Sequence, residues 1–107
     1  MRSTAEAVLK QEPTIPASVG SVEELRSRVD TIDEELVELL AERCRLARGL
    51  GEVKRAADLP VVDHAREAVV VRRAGSAARR EGLDEELMRR LFWDVIELAR
   101  RAQGPGA

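Results

Sequence analysis

Between Val22 and Ala57, apolar residues recur at steps of three and four, which is the spacing of one face of an α-helix. The stripe has one charged position, because the step after Leu39 lands on Arg43 before the pattern resumes at Leu46. The spacing predicts one long helix, ~50 Å at ~1.5 Å per residue, whose apolar face packs against protein. A guanidinium on such a face needs an anionic partner, and the stripe supplies none. We therefore expect Arg43 to form the floor of an anion-binding site.

The limits of this first helix follow from its flanking residues. Residues 1–20 contain two prolines and a glycine and lack a long apolar period, so we expect a flexible N-terminal tail there. Ser21 can cap the helix, and Glu24 three residues later can complete a capping box. The helix is expected to run to about Ala57, because the proline at position 60 disfavours helix at the residue before it.

Two shorter helices are predicted after the first. Asp63 can cap a helix that runs to about Arg80, ahead of a glycine suited to its C-terminal cap. Three consecutive valines at 69–71 leave a buried strand as the competing interpretation, but the Ala- and Arg-rich flanks favour helix. Asp84 can cap the third helix, whose apolar face continues until the Gly-Pro-Gly sequence at 104–106.

These elements predict an all-α fold with three helices per chain, one long and two shorter. The 107 residues are enough for one domain, which we place at 21–104, followed by a C-terminal tail at 105–107. The first helix is too long for its two companions to cover, and its stripe would leave an apolar patch far larger than a monomer normally exposes. A homodimer in which the long helices pack together is therefore expected.

Composition excludes several classes of function. The formal net charge of -2 argues against a nucleic-acid binder, which normally has a net basic face. Cys44 and His64 are the single cysteine and histidine, so an intrachain disulfide and a metal site built from such residues are excluded. No stretch approaches the ~20 apolar residues of a membrane span, and the N-terminus lacks the apolar block of a secretory signal. We expect a cytoplasmic protein.

Polar side chains occupy positions on the inward faces of the predicted helices or at their ends. The set comprises Arg43, Lys54, Asp63, Arg66, Glu67 and Gln103. Arg43 and Lys54 are about three turns apart on nearly the same face of the first helix, ~16 Å along its axis. Asp63, Arg66 and Glu67 begin the second helix, so three cations and two carboxylates are expected to line one small chamber.

Each of these residues has a simpler explanation on its own. Arg43 suits a buried ion pair, Asp63 is a helix cap, and the remaining polar residues are ordinary for helix surfaces and ends. Together they suit a small dianion, because fixed cations, carboxylates and an amide can stabilise charge that shifts within a bound molecule. The sequence has no activated nucleophile or Gly-rich phosphate loop, which favours a reaction without a covalent intermediate.

The charged positions follow an ordered pattern along the chain. An Arg follows Leu early in helix one, an Arg stands at its middle and a Lys near its end; then come P-V-x-D-x-x-R-E, G-L-D and a terminal Gln. In this pattern the chain resembles the all-helical class of chorismate mutase over about residues 22–103. The matching runs are LRSRVDTIDEELVELLAERCRLARGLGEVKRAADLPVVDHARE and GLDEELMRRLFWDVIELARRAQ. The resemblance implies an intertwined helical homodimer with two equivalent sites, which converts chorismate to prephenate without metal or cofactor.

The resemblance also implies a role for each matching residue. Arg43 and Arg26 would hold the carboxylates of the substrate, with Arg26 supplied by the other subunit. The two arginines are ~25 Å apart on one helix, too far to hold one small molecule within a single chain. Arg66 would help to fix the charged end of the substrate. Asp63 and Glu67 would hold its ring hydroxyl.

Two more matching residues would act on the ether oxygen of the substrate, and one position departs from the family pattern. Lys54 and Gln103 would donate hydrogen bonds to the ether oxygen, where negative charge grows as the C–O bond breaks. Ala99, among the substrate-binding positions, stands where relatives commonly place a serine whose hydroxyl meets a substrate carboxylate. The alternatives are a mutase acting on 4-amino-4-deoxychorismate, a weakly active mutase that a partner enzyme activates, and a non-catalytic helical dimerisation or regulatory module.

Overall fold

The computed structural model describes residues 20–103, which form three α-helices. In chain order these are α1 (Gly20–Ala56), α2 (His64–Arg80) and α3 (Glu85–Ala102). No strand occurs in this described range, so the predicted all-α class and the order of one long and two shorter helices are confirmed. The predicted tails lie outside the described residues, apart from Gly20, which begins α1.

Helix α1 begins and ends slightly earlier in the chain than predicted. It begins at Gly20, so Ser21 lies in the first turn rather than at the N-cap position predicted for it. It ends at Ala56, and two backbone hydrogen bonds of the Schellman type close its last turn. The residue in the left-handed conformation is Asp58, with a φ of 60°. The chain therefore leaves the helix before it reaches the proline on which the prediction rested.

Both shorter helices begin at the predicted acidic caps. Asp63 Oδ1 accepts a hydrogen bond from the Arg66 backbone N–H at 3.0 Å, and Asp84 Oδ1 accepts one from the Leu87 backbone N–H at 2.7 Å. The three valines of α2 are helical, so the competing strand interpretation is wrong. Gly82 follows α2 with a φ of 74°, as expected for a glycine that ends a helix.

The chain divides into two compact units, residues 1–39 and 40–107. In the first unit, the described residues are the N-terminal part of α1, and its apolar stripe is largely exposed. Val29, Leu36 and Leu39 are 54%, 50% and 53% exposed. The side chains that the sequence pattern assigns to a packed face are thus open to solvent in this unit by itself.

The core of the second unit lies between α2 and α3 and is built from small and aliphatic side chains. Its buried apolar residues are Val71, Ala74, Ala78, Ile96 and Ala99. Gly75 is buried at the same place, where an added Cβ would lie 2.8 Å from Arg89 Nε, so the Arg89 side chain lies directly over the glycine. Small residues therefore allow the two helices to pack closely.

The part of α1 that belongs to the second unit also carries large exposed apolar side chains. Leu46, Leu50 and Val53 lie on the same stripe and are all more than half exposed. None of the helices described here is both long enough and apolar enough to cross a membrane.

Candidate active site

The second unit contains a cavity of about 390 Å³, bordered by all three helices and by the segment between α1 and α2. Seven of the eight predicted site residues line it, namely Arg43, Lys54, Asp63, Arg66, Glu67, Ala99 and Gln103. Arg26 is not part of this lining; it belongs to the first unit, in which its side chain is exposed on α1.

Three cationic side chains of the lining have no anionic partner in the described chain. Arg43 and Lys54 are partly buried on α1, and Arg66 projects from the first turn of α2. Within residues 20–103, none of the three forms an ion pair with a carboxylate. A buried ion pair, the simpler explanation for Arg43, is therefore not found among the described residues. The three cations are placed to receive an anion from outside the chain.

The two carboxylates at the start of α2 are held in different ways. Asp63 caps the helix, so one of its oxygens accepts the Arg66 backbone N–H at 3.0 Å. Glu67 lies one turn further along and is better buried, with its side chain 16% exposed. Its Oε1 is 3.2 Å from His64 Nδ1, and its Oε2 accepts a hydrogen bond from Arg100.

These contacts determine the ionisation of Glu67. Partial burial raises the pKa of Glu67, but its hydrogen bonds with Arg100 and His64 and its electrostatic attraction to them lower it more. The pKa of the carboxyl therefore lies below its ordinary value. Glu67 is a carboxylate at neutral pH and acts as an acceptor within the cavity.

Gln103 reaches the cavity from the end of α3, where it is the C-cap residue. An added Cβ on Gly51 of α1 would lie 3.6 Å from Gln103 Oε1 and 3.7 Å from Val61 Cγ1. Gly51 is buried, and these distances are ordinary van der Waals contacts, so α1 and the amide meet at this edge of the cavity. Sequence reasoning missed Gly51, because a lone glycine within a helical pattern does not reveal what lies opposite it.

The rest of the lining is mainly hydrocarbon. Its apolar side chains include Leu46, Leu50, Val61, Val70 and Ile96. Ala99 is buried in the same wall and contributes no hydroxyl. Charges in such a wall interact more strongly than they would in water, since the surroundings have a lower effective dielectric constant.

Sequence reasoning also missed Arg100, which lines the cavity beside Ala99. Its guanidinium donates to Glu67 and lies 3.7 Å from Glu97 Oε2. The only signal in the sequence is that Arg100 is three positions before Gln103, on a neighbouring part of the α3 face. That spacing alone does not separate it from the other arginines of α3.

This arrangement can bind a small anion and stabilise a shift of charge within it. Arg43, Lys54 and Arg66 supply positive charge, Gln103 supplies an amide that needs no change of protonation, and Asp63 with Glu67 supplies acceptors. The apolar walls restrict the shape of whatever is bound. A reaction that needs restraint and electrostatic stabilisation fits these groups.

Comparison with known proteins identifies the family to which the chain is similar. The chorismate mutase type II profile matches residues 25–104. A chorismate mutase from Methanocaldococcus jannaschii is 29% identical over 79 residues, which are 74% of this chain and 80% of that protein. A bifunctional chorismate mutase/prephenate dehydratase from Escherichia coli is 37% identical over 73 residues, or 68% of this chain and 19% of that protein.

A third relative carries a different name. A 3-dehydroquinate dehydratase from Pyrobaculum aerophilum is 43% identical over 61 residues, which are 57% of this chain and 20% of that protein. The chain thus spans most of the M. jannaschii protein but about a fifth of each of the two larger relatives. The matched range 25–104 contains all eight predicted site residues. The chain belongs to the chorismate mutase type II family.

Proposed function

We propose that this chain is a chorismate mutase, an isomerase that rearranges chorismate to prephenate. In this reaction the ether C–O bond breaks while a new C–C bond forms within the same molecule, so no atom is gained or lost. The observation that carries the proposal is the cavity in which three unpaired cations, two carboxylates and an amide meet between apolar walls. Family membership supports the same activity.

The proposed roles follow the charges of the substrate. Arg43 and Arg66 hold carboxylates of the dianion, which needs fixed cations in a site partly shielded from water. Asp63 and Glu67 accept a hydrogen bond from the ring hydroxyl. Holding both ends of the molecule keeps it in the folded conformation in which its reacting carbons are close.

The remaining polar groups act on the bond that breaks. Lys54 and Gln103 donate to the ether oxygen as negative charge develops on it in the transition state. Their contribution is greater in the transition state than in the bound substrate, which is the requirement for a faster reaction. Because the Gln103 amide donates without titrating, its part of the stabilisation is independent of pH across the neutral range.

We propose further that the active form is an intertwined homodimer and that Arg26 of one subunit completes the site of the other. Large exposed apolar side chains in each unit support this arrangement, since a folded monomer rarely leaves so many uncovered. The helical spacing between Arg26 and Arg43 in the sequence is the second argument. The cytoplasmic location expected from the sequence stays a prediction.

A direct assay of chorismate loss by the purified chain tests the activity. Lys54→Ala removes a donor to the ether oxygen, so we expect kcat/KM to fall by ~100- to 1000-fold. Arg45→Ala is the matched control, because it also removes a cation from α1, but one that is exposed and outside the cavity lining. Equal turnover by wild type and Lys54→Ala would contradict the assigned role.

Ligand binding separates the enzyme from a non-catalytic helical module. A bicyclic dicarboxylate that mimics the transition state is expected to raise the Tm, because it binds only the folded protein. At one hundred times its Kd the stabilisation would be ~2.7 kcal/mol. An unchanged Tm at the highest soluble concentration, together with no chorismate loss, would favour the module.

A further inference from the structure

Among residues 20–103, Arg100 is the one cavity-lining cation whose side chain is bonded to a cavity carboxylate. Its Nη2 donates to Glu67 Oε2, and its Nη1 is 3.7 Å from Glu97 Oε2. The guanidinium is therefore held between two carboxylates, one inside the cavity and one on its own helix. The Arg100 side chain is 45% exposed, whereas that of Glu67 is 16% exposed, so the contact lies at the rim.

The contact between Arg100 and Glu67 changes which ligand groups Glu67 can bind. With the Arg100 guanidinium on Oε2, the negative charge of Glu67 already has a cationic partner within the protein, and His64 lies beside Oε1. Each carboxylate oxygen still has a free lone pair that can accept a hydrogen bond from a neutral hydroxyl. An ammonium bound in the same place would face the Arg100 guanidinium, which is a like charge.

The net charge of the cavity lining also favours a neutral hydroxyl over an ammonium. Of the described residues, four cationic side chains and two carboxylates line the cavity, which gives their set a formal charge of +2. A dicarboxylate with a neutral hydroxyl carries two negative charges, whereas its amino analogue carries one net negative charge. Removal of Arg100 would shift the charge of the cavity by one unit, which is the difference between the two substrates.

We propose that Arg100 is a specificity-determining positioning residue, which makes the cavity prefer a substrate with a neutral hydroxyl facing Glu67 over one with an ammonium there. The inference rests on the proposed function and narrows its substrate to chorismate rather than 4-amino-4-deoxychorismate. Arg100 acts through Glu67, so its effect is on the choice between substrates and not on the bond that breaks.

The test compares kcat/KM for the two substrates in the purified full chain. Wild type is expected to prefer chorismate. In Arg100→Gln the preference should fall by about tenfold, which corresponds to the loss of ~1.4 kcal/mol of discrimination. Arg100→Lys keeps the charge and should retain most of the preference. Arg101→Gln is the matched control, because Arg101 is 80% exposed and pairs with Glu97 outside the cavity.

A ratio of two substrates is insensitive to general damage to the fold. A structural role, or a direct contact of Arg100 with a substrate carboxylate, would lower kcat/KM for both substrates in parallel and leave the ratio unchanged, which would overturn the proposal. A wild-type preference for the amino compound would also overturn it. If Arg100→Gln does not fold, as judged by its helical circular dichroism, Arg100→Met keeps the aliphatic stem and gives the same comparison.

The same assay distinguishes a failure of this inference from a failure of the proposed function. Turnover of both substrates with a constant ratio contradicts only the role of Arg100. Turnover of neither substrate by the folded wild-type chain contradicts the proposed function, and the inference fails with it.

Discussion

Glu67 and Asp63 are one helical turn apart, yet the two carboxylates are in different situations. Asp63 sits at the N-cap of α2, where it accepts the Arg66 backbone N–H and stabilises the first turn. Glu67 is further into the helix, mostly buried, and bonded to His64 one turn earlier in α2 and to Arg100 of α3. The first contact is local and readable from sequence spacing. The contact between Glu67 and Arg100 forms only because α3 packs against α2 and places Arg100 beside Glu67.

The lowered pKa of Glu67 predicts how stability depends on pH. Since the folded protein holds this proton more weakly than the unfolded chain, Glu67 stabilises the fold fully above its unfolded pKa of about 4.5. That contribution is lost as the pH falls through the lower pKa of the folded state. Glu67→Gln is therefore expected to reduce stability at pH 7, with a difference from wild type that shrinks below about pH 4.

Urea unfolding at fixed protein concentration between pH 7 and pH 3 measures this difference. Glu52→Gln is the control, because Glu52 is exposed on α1 and outside the cavity lining. A difference between wild type and Glu67→Gln that stays constant to pH 3 would mean that Glu67 is not stabilised as an anion in the folded state.

At the scale of elements, α1 and α2 end in the same motif with different residues. After α1, Leu59 N–H donates to the Lys54 carbonyl at 2.8 Å; after α2, the corresponding bond runs from Leu83 to Ala78, also at 2.8 Å. The left-handed residue is aspartate in one motif and glycine in the other, with φ of 60° at Asp58 and 74° at Gly82. An L-residue with a Cβ is less stable there than glycine.

Substitutions at the two positions should therefore have opposite effects. Gly82→Ala is expected to lower the free energy of unfolding by ~1 kcal/mol, and no heavy atom lies within 4 Å of the added Cβ to complicate the comparison. Asp58→Gly should raise it by about 0.5 kcal/mol, because relief of the left-handed conformation exceeds the entropy that glycine adds to the unfolded chain. Urea unfolding measures both variants.

A β-branched residue extends the comparison. Asp58→Val should lower the free energy of unfolding, since valine tolerates a positive φ poorly. If glycine and valine at position 58 gave the same stability, the left-handed conformation would not be the property that matters there.

For the whole molecule, the main physical problem is uncovered apolar surface. The large apolar side chains more than 60% exposed are Val37, Leu46 and Val53. The fully buried part of the second unit consists mainly of alanine, and no large side chain of the described residues is completely buried. A domain of this size with so small a core gains little free energy from burying apolar surface. We therefore expect a second copy of the chain to cover the exposed apolar side chains and stabilise the fold.

We predict that the chain is a dimer whose stability depends on protein concentration. Leu36→Glu places a carboxylate on the apolar stripe and should dissociate the dimer, reduce helicity and abolish turnover together. Thr31→Glu is the matched control, because it adds the same charge at an exposed position off the stripe. Light scattering with circular dichroism measures both properties. A stable, active wild-type monomer at micromolar concentration would rule out the dimer.

Much of the secondary structure was accessible from the sequence, because its signals are local. The Asp63 and Asp84 caps and the three-and-four apolar spacing depend only on neighbouring residues, and the helices lie where these signals predict. The end of α1 was predicted within one residue but for an incomplete reason, since the left-handed Asp58 closes the helix before the proline is reached. Asp is less distinctive than Gly as a sign of that conformation.

By itself the sequence determined the helices and the types of side chain that are out of place on their apolar faces, such as Arg43 and Gln103. Only the tertiary structure decided that Arg100 meets Glu67 and that Gly51 of α1 faces the Gln103 amide. Helix periodicity is set by bonds between residues three or four apart, whereas a cavity depends on which faces of separate helices meet. The pattern of one helix contains no information about the side chain that another helix places opposite it.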